Sequence, residues 1–262
     1  MAEPALRPYS NQFYGRIFGR SRIRDRLGPD DPIFHLLESL AIRDVYTVTD
    51  EFVSSLDTTL WTATNSGGAG VSNFARLANT AGGVIEGDPG TDNNGDVRLF
   101  TTSNECWLID NRPVALARVR PATAITNSKF EFGFADAVQA GQVNVKATPT
   151  STGTDYAVIV RDTTHNTSID LVSDGTTPAV ELVAGTHGVT WTLDTWHSLM
   201  IALNEQDECY FWANGSLGGR IDANGPDNDI TLGIWLYMQN RTTTSHPLDV
   251  DYVKVIAERV AL

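Results

Sequence analysis

Trp235 and Tyr237 stand two residues apart in Ile234-Trp235-Leu236-Tyr237-Met238. In an extended strand that spacing places both rings on one face and Ile234, Leu236 and Met238 on the other. If the rings are exposed, they form a platform on which a sugar can stack; if loops cover both faces, they are core aromatics. A second group is Asp92-Asn93-Asn94-Gly95-Asp96. Asp92, Asn94 and Asp96 offer oxygen donors at alternate positions, as calcium prefers from a flexible loop. The loop departs from the EF-hand pattern, which wants glycine sixth and glutamate twelfth, where this chain has Val97 and Ser103. The same residues also read as a solvated Asp/Asn/Gly turn. Calcium is therefore the one candidate cofactor.

Nucleophilic chemistry finds little support. Cys106 and Cys209 have no neighbouring histidine, and no G-x-S-x-G, G-x-G-x-x-G or phosphate-loop motif is present. The cysteines lie in Glu105-Cys106-Trp107 and Glu208-Cys209-Tyr210. Free buried thiols are expected, with pairing left open. His197, beside Trp196, reads as a satisfied strand-end residue rather than a base.

Residues 1–28 carry Arg7, Arg16, Arg20, Arg22, Arg24 and Arg26 against Glu3 and Asp25, whereas the whole chain has a formal charge of −13. A basic arm on an acidic body suits docking onto a negative partner. The arm lacks lysine and the body repels phosphate, so nucleic acid is not the expected partner. Arg16, Arg20, Arg22, Arg24 and Arg26 would grip carboxylates through the guanidinium fork, and Phe13, Tyr14 and Phe18 would anchor in apolar pockets. After the arm, Asp31-Pro32 is a helix start. Ile33, Leu36, Leu37 and Leu40 follow at helical spacing and predict a short amphipathic helix. Its stripe is expected to pack on copies of itself, as in a homotrimer, or on a neighbour's body.

These elements need a scaffold. The chain has 262 residues, 41 % of them hydrophobic and only 19 % charged, with 22 glycines and 11 prolines. That composition argues against a helical bundle or a disordered chain. No run of 18 apolar residues and no apolar leader is present, so no membrane association is expected. From Asp44 onward short alternating segments replace the helical period. Tyr156–Arg161 and Ser168–Val172 form a predicted hairpin, and Asn214-Gly215 is the strongest turn signal. The expected organisation is an extended arm over 1–29, a short helix and linker over 30–45, and an all-β antiparallel sandwich over 46–262.

Four segments in order carry a resemblance. Phe52…Leu56-Asp57…Leu60-Trp61 opens the body; Asp194-Thr195-Trp196-His197-Ser198-Leu199 begins a late strand. Glu208-Cys209-Tyr210-Phe211-Trp212-Ala213-Asn214-Gly215 follows, and Leu248-Asp249-Val250-Asp251-Tyr252-Val253 closes it. Over residues 50–258 this resembles the concanavalin A-like lectin/glucanase superfamily. The resemblance implies a jelly roll of two curved sheets, with ligands on the concave one. Trp196, at the head of a strand, is expected to plug one end of the sandwich.

Enzymes of that superfamily carry E-x-D-x-x-E on one strand, and no such motif occurs here. Glu131 and Asp136 fall on opposite strand faces; Asp249 and Asp251 share a face, but on the closing strand, where the family uses such positions for structure or calcium. The expectation is therefore a non-enzymatic protein. Arm, helix and sandwich together resemble, by architecture, capsid decoration, minor capsid or head-fibre proteins of tailed bacteriophages. The expected role is a virion component held to a capsid or other virion protein through its arm. The alternatives are a glycan-binding module and an unusual glycoside hydrolase.

Overall fold

Strands form in this chain wherever apolar and polar residues alternate between turn-forming clusters. The computed structural model describes residues 45–258 except 79, 81, 102–106, 138–140, 146–149, 152, 165, 176–180, 184–189 and 223. The arm residues Phe13, Tyr14, Arg16, Phe18, Arg20, Arg22, Arg24 and Arg26 lie outside the described residues, as do Ile33, Leu36, Leu37 and Leu40.

The strands are β1 (Val45–Asp50), β2 (Trp61–Asn65), β3 (Val71–Arg76), β4 (Ile85–Pro89), β5 (Asp96–Thr101) and β6 (Val114–Pro121). They continue as β7 (Ser128–Ala135), β8 (Asn144–Val145), β9 (Thr150–Ser151), β10 (Tyr156–Asp162), β11 (Asn166–Asp174) and β12 (Glu181–Val183). The last are β13 (His197–Leu203), β14 (Cys209–Ala213), β15 (Ser216–Ile221), β16 (Gly233–Asn240) and β17 (Leu248–Glu258). An eight-stranded sheet runs β15-β14-β13-β6-β17-β4-β3, with β1 also paired to β17, and a seven-stranded sheet runs β12-β11-β10-β7-β16-β5-β2. All ladders are antiparallel, so the molecule is an all-β sandwich.

Period-two alternation explains the core. Phe130, Phe132 and Phe134 of β7 and Ile234, Leu236 and Met238 of β16 point inward from the seven-stranded sheet. Leu199, Ile201 and Leu203 of β13 and Phe211 and Ala213 of β14 meet them from the other sheet. Each buried phenylalanine contributes about 1.5–3 kcal/mol relative to exposure.

The opening motif is a locked corner. Asp50 accepts the Phe52 amide and the Trp61 indole N–H, each at 2.8 Å. Asp57 accepts the Thr59 amide at 2.8 Å and starts the turn into β2. The predicted hairpin is present as β10 paired with β11. Asn214 and Gly215 turn β14 into β15 with φ of 51° and 77°, the left-handed values that favour this dipeptide.

Trp196 departs from expectation. It is half-buried, with the guanidinium carbons of Arg118 and Arg120 each 4.9 Å from its ring centroid. Arg118 and Arg120 alternate with the inward Ala117 and Val119, so Trp196 packs on the outer side of the eight-stranded sheet. Trp191 joins the core instead, stacked on His197 at 4.6 Å and packed on Phe130. His197 is satisfied by Thr192 and Asn214, as its strand-end position suggested.

Candidate functional site

The outer face of the seven-stranded sheet, away from the core, gathers most of the buried charge. Registers align Thr64 (β2), Arg98 (β5), Tyr237 (β16), Glu131 (β7), Val160 (β10) and Asp170 (β11) in one row across it. A flanking row holds Asp96, Gln239, Lys129 and Asp162, and on the other side lie Phe100, Trp235 and Gly133. The local cause is simple: Lys-x-Glu and Asp-x-Arg occupy the alternate positions of strands whose other residues fill the core.

Trp235 and Tyr237 are both 0 % exposed. They stack on each other at 5.9 Å within a second apolar cluster that includes Val143, Tyr156 and Val158. They are therefore core aromatics, not an open sugar platform. The covering residues near 143 were not predictable from the strand itself.

Glu131 sits at the centre of this buried layer. It pairs with Lys129 at 2.8 Å and accepts the Val143 amide and the Trp235 indole N–H, each at 2.8 Å. Lys129 donates to Gln142 at 2.7 Å. Burial pushes the Lys129 ammonium below its usual pKa, against the pull of Glu131. Beside them Arg241 pairs with Asp162 at 2.5 Å and also reaches Gln142. Burial works to raise the Asp162 carboxyl, but hydrogen bonds from Arg241 and Thr164 and the Lys129 charge outweigh it and hold it low.

Towards the β2 margin the face is less complete. Arg98 forks onto Asp96 at 2.7 and 3.0 Å. Burial raises the Asp96 carboxyl, and the Glu131 charge adds to the rise. Around this fork the buried Thr64 Oγ1, Tyr237 Oη and Gln239 Oε1 have no hydrogen-bond partner among the described residues. Burial keeps Tyr237 protonated well above the ordinary tyrosine range.

The three calcium candidates each have partners within the protein. Asp96 turns onto the sheet and is engaged by Arg98, while Asp92 holds the Ala69 amide at 3.0 Å. The Asn94 carbonyl accepts from Gln239. Among the described residues no group of three His, Cys, Asp or Glu is placed to hold a metal ion.

Elsewhere, Cys209 is a free, buried thiol, and Cys106 lies outside the described residues. Asp249 meets Arg120 at 2.5 Å and Asp251 meets Arg118 at 2.6 Å, so both serve structure on the outer side of the eight-stranded sheet.

Element order, two antiparallel sheets and a polar outer face bear comparison with solved structures. A laminarinase from Rhodothermus marinus superimposes with a TM-score of 0.57 at 15 % identity, over 84 % of this chain and 100 % of that one. An endo-β-1,3-glucanase from Pyrococcus furiosus gives 0.56 at 15 %, over 84 % and 97 %. The carbohydrate recognition domain of Emp47p gives 0.51 at 11 %, over 82 % and 96 %.

The fold is a concanavalin A-like jelly roll.

No protein-family model matches the chain, and no curated protein does. At these identities the likeness establishes the jelly roll alone. The expectation of a non-enzymatic chain is nevertheless overturned: glucanases share this jelly roll nearly end to end. A missing E-x-D-x-x-E motif excludes one arrangement of carboxylates on one strand; it does not exclude carboxylates brought together from β5 and β7. None of the three structures named is a virion protein, so the capsid resemblance gains nothing from them.

The sequence reading passed over Arg98, Lys129, Asp162, Gln239 and Thr64. The available signal was alternation: Ser128–Ala135 carries phenylalanine at every second position and Lys129 and Glu131 between them.

Proposed function

We propose that this chain is a carbohydrate-recognising jelly roll whose ligand engages the β2–β5–β16 margin of the seven-stranded sheet. One observation carries the reading. Thr64, Tyr237 and Gln239 leave three buried oxygens unpartnered around the Arg98–Asp96 fork. A buried polar atom without a partner costs about 1–3 kcal/mol, and a polyhydroxylated ligand is a chemistry that would satisfy a hydroxyl, a phenol and an amide together. The carbohydrate recognition domain and glucanases of like fold support the same class of ligand.

Hydrolysis is the second reading, and a specific feature favours it. Asp96, whose carboxyl burial raises against the pull of Arg98, faces the same side of the sheet as Glu131, which is paired with Lys129. Glycoside hydrolysis needs two carboxyl groups with such divided roles. Attachment to a virion through residues 1–43 is a separate reading of the arm, and these structures lend it no support.

The test is titration with laminarin oligosaccharides and a broad glycan array, followed by reducing-end release. Thr64→Val and Tyr237→Phe remove unpartnered groups, so melting should hold or rise while glycan affinity falls at least tenfold. Asp96→Asn should abolish any hydrolysis. A wild-type chain that binds no glycan on the array sinks the reading.

A further inference from the structure

The outer face of the eight-stranded sheet carries an apolar patch that the sandwich core does not use. Registers place Ile256 (β17), Val114 (β6), Ala202 (β13) and Tyr210 (β14) in one row across it. The next row begins with Lys254 on β17 and continues through Leu116, Met200 and Trp212. Val114, Ala202, Tyr210 and Trp212 form their own buried cluster, with Leu116 and Met200 packed against it. The seven-stranded sheet packs on the opposite face. From β17 to β14 the patch spans three strand spacings, about 14 Å.

The chain enters the sheet beside this patch. Val45 pairs with Glu258, and Thr47 pairs with Ile256, the first residue of the apolar row. Val45, the first described residue, therefore stands at the end of the sheet where the patch begins. Just upstream in sequence, Ile33, Leu36, Leu37, Leu40 and Ala41 recur at the spacing of a helical apolar stripe. Eight residues of helix advance about 12 Å, which matches the patch. Four peptide steps from Ala41 to Val45 reach up to about 14 Å, enough to climb one layer spacing of about 10 Å.

We propose that residues 32–41 dock in cis on this patch as a helix, seating the leucine stripe on Leu116, Met200 and Trp212. The docked segment adds a third layer behind the eight-stranded sheet. The basic arm then departs from the side of the sandwich opposite the glycan margin, leaving both faces usable at once. The inference is independent of the carbohydrate reading.

The full chain tests it with p-benzoyl-phenylalanine installed at position 36 and irradiated. Equal amounts of ¹⁵N-labelled and unlabelled protein are mixed first. Adducts to peptides bearing Leu116, Met200 or Trp212, always within one isotopic species, are the expected result. Adducts joining labelled to unlabelled chains assign the stripe to a second copy and overturn the proposal. Adducts to the seven-stranded sheet, or none, overturn it as well. In parallel, Leu36→Asp with Leu40→Asp should lower the melting temperature by about 5 °C or more. An unchanged melt overturns cis docking.

Discussion

Trp235 donates its indole N–H to Glu131 at 2.8 Å, from β16 to the neighbouring β7. The bond ties an aromatic to a buried carboxylate that Lys129 neutralises at 2.8 Å. It turns the outer face of the seven-stranded sheet into a second packed layer with a polar centre.

Glu131→Gln should cost about 3–5 kcal/mol, because Lys129 is left charged and buried. The glutamine oxygen can still accept from Trp235 and Val143, which isolates the charge. Lys129→Met in the same chain should recover most of the loss. Urea unfolding of the two single variants and the double variant measures the coupling, and additive losses would refute it.

Acid stability should depend on Asp162. Its folded pKa lies below the ordinary aspartate value, so its pairing with Arg241 contributes stability that is present above that ordinary value. The contribution is lost as pH falls through the depressed folded pKa. Arg241→Met should cost about 3 kcal/mol at pH 7 and flatten the stability profile below about pH 4. Thermal melts from pH 2 to 7 read the slope.

Cys209 should be inert in the native protein. Burial pushes its thiol up to about 12, which leaves almost no thiolate at pH 8. Iodoacetamide should leave the Cys209 peptide unmodified until urea is added, as peptide mass mapping will report. Native-state alkylation at Cys209 would contradict this burial.

The β14–β15 turn should resist substitution. Gly215→Val forces a β-branched residue to φ near 77° and should cost about 1–2 kcal/mol. Asn214→Ala removes the acceptor of the Ser198 amide, bound at 3.0 Å, and should cost about 1 kcal/mol. Equilibrium unfolding distinguishes these losses from the near-zero change expected for Ser216→Ala, an exposed position.

The sequence by itself determined the class of fold, because local patterns carry it. Alternation in Tyr156–Asp162 and Leu248–Glu258 made strands, Asn214-Gly215 made a hairpin, and the ordered motifs from Phe52 to Val253 pointed to a jelly roll. Strands β2 to β6 were not recognised: β3 is mostly exposed, and β5 alternates Asp96 and Arg98 with the core residues Val97 and Leu99 directly after an Asp/Asn/Gly turn, so its polar positions read as loop. Tertiary structure alone decided what each outward face does. Whether Trp235 and Tyr237 met solvent depended on the Val143 segment folding back over them. Whether Asp96 was a metal ligand depended on Arg98 two residues along, through a side-chain contact rather than a strand period. Alternation tells which residues share a face; only long-range packing tells whether that face is wet, charged or covered.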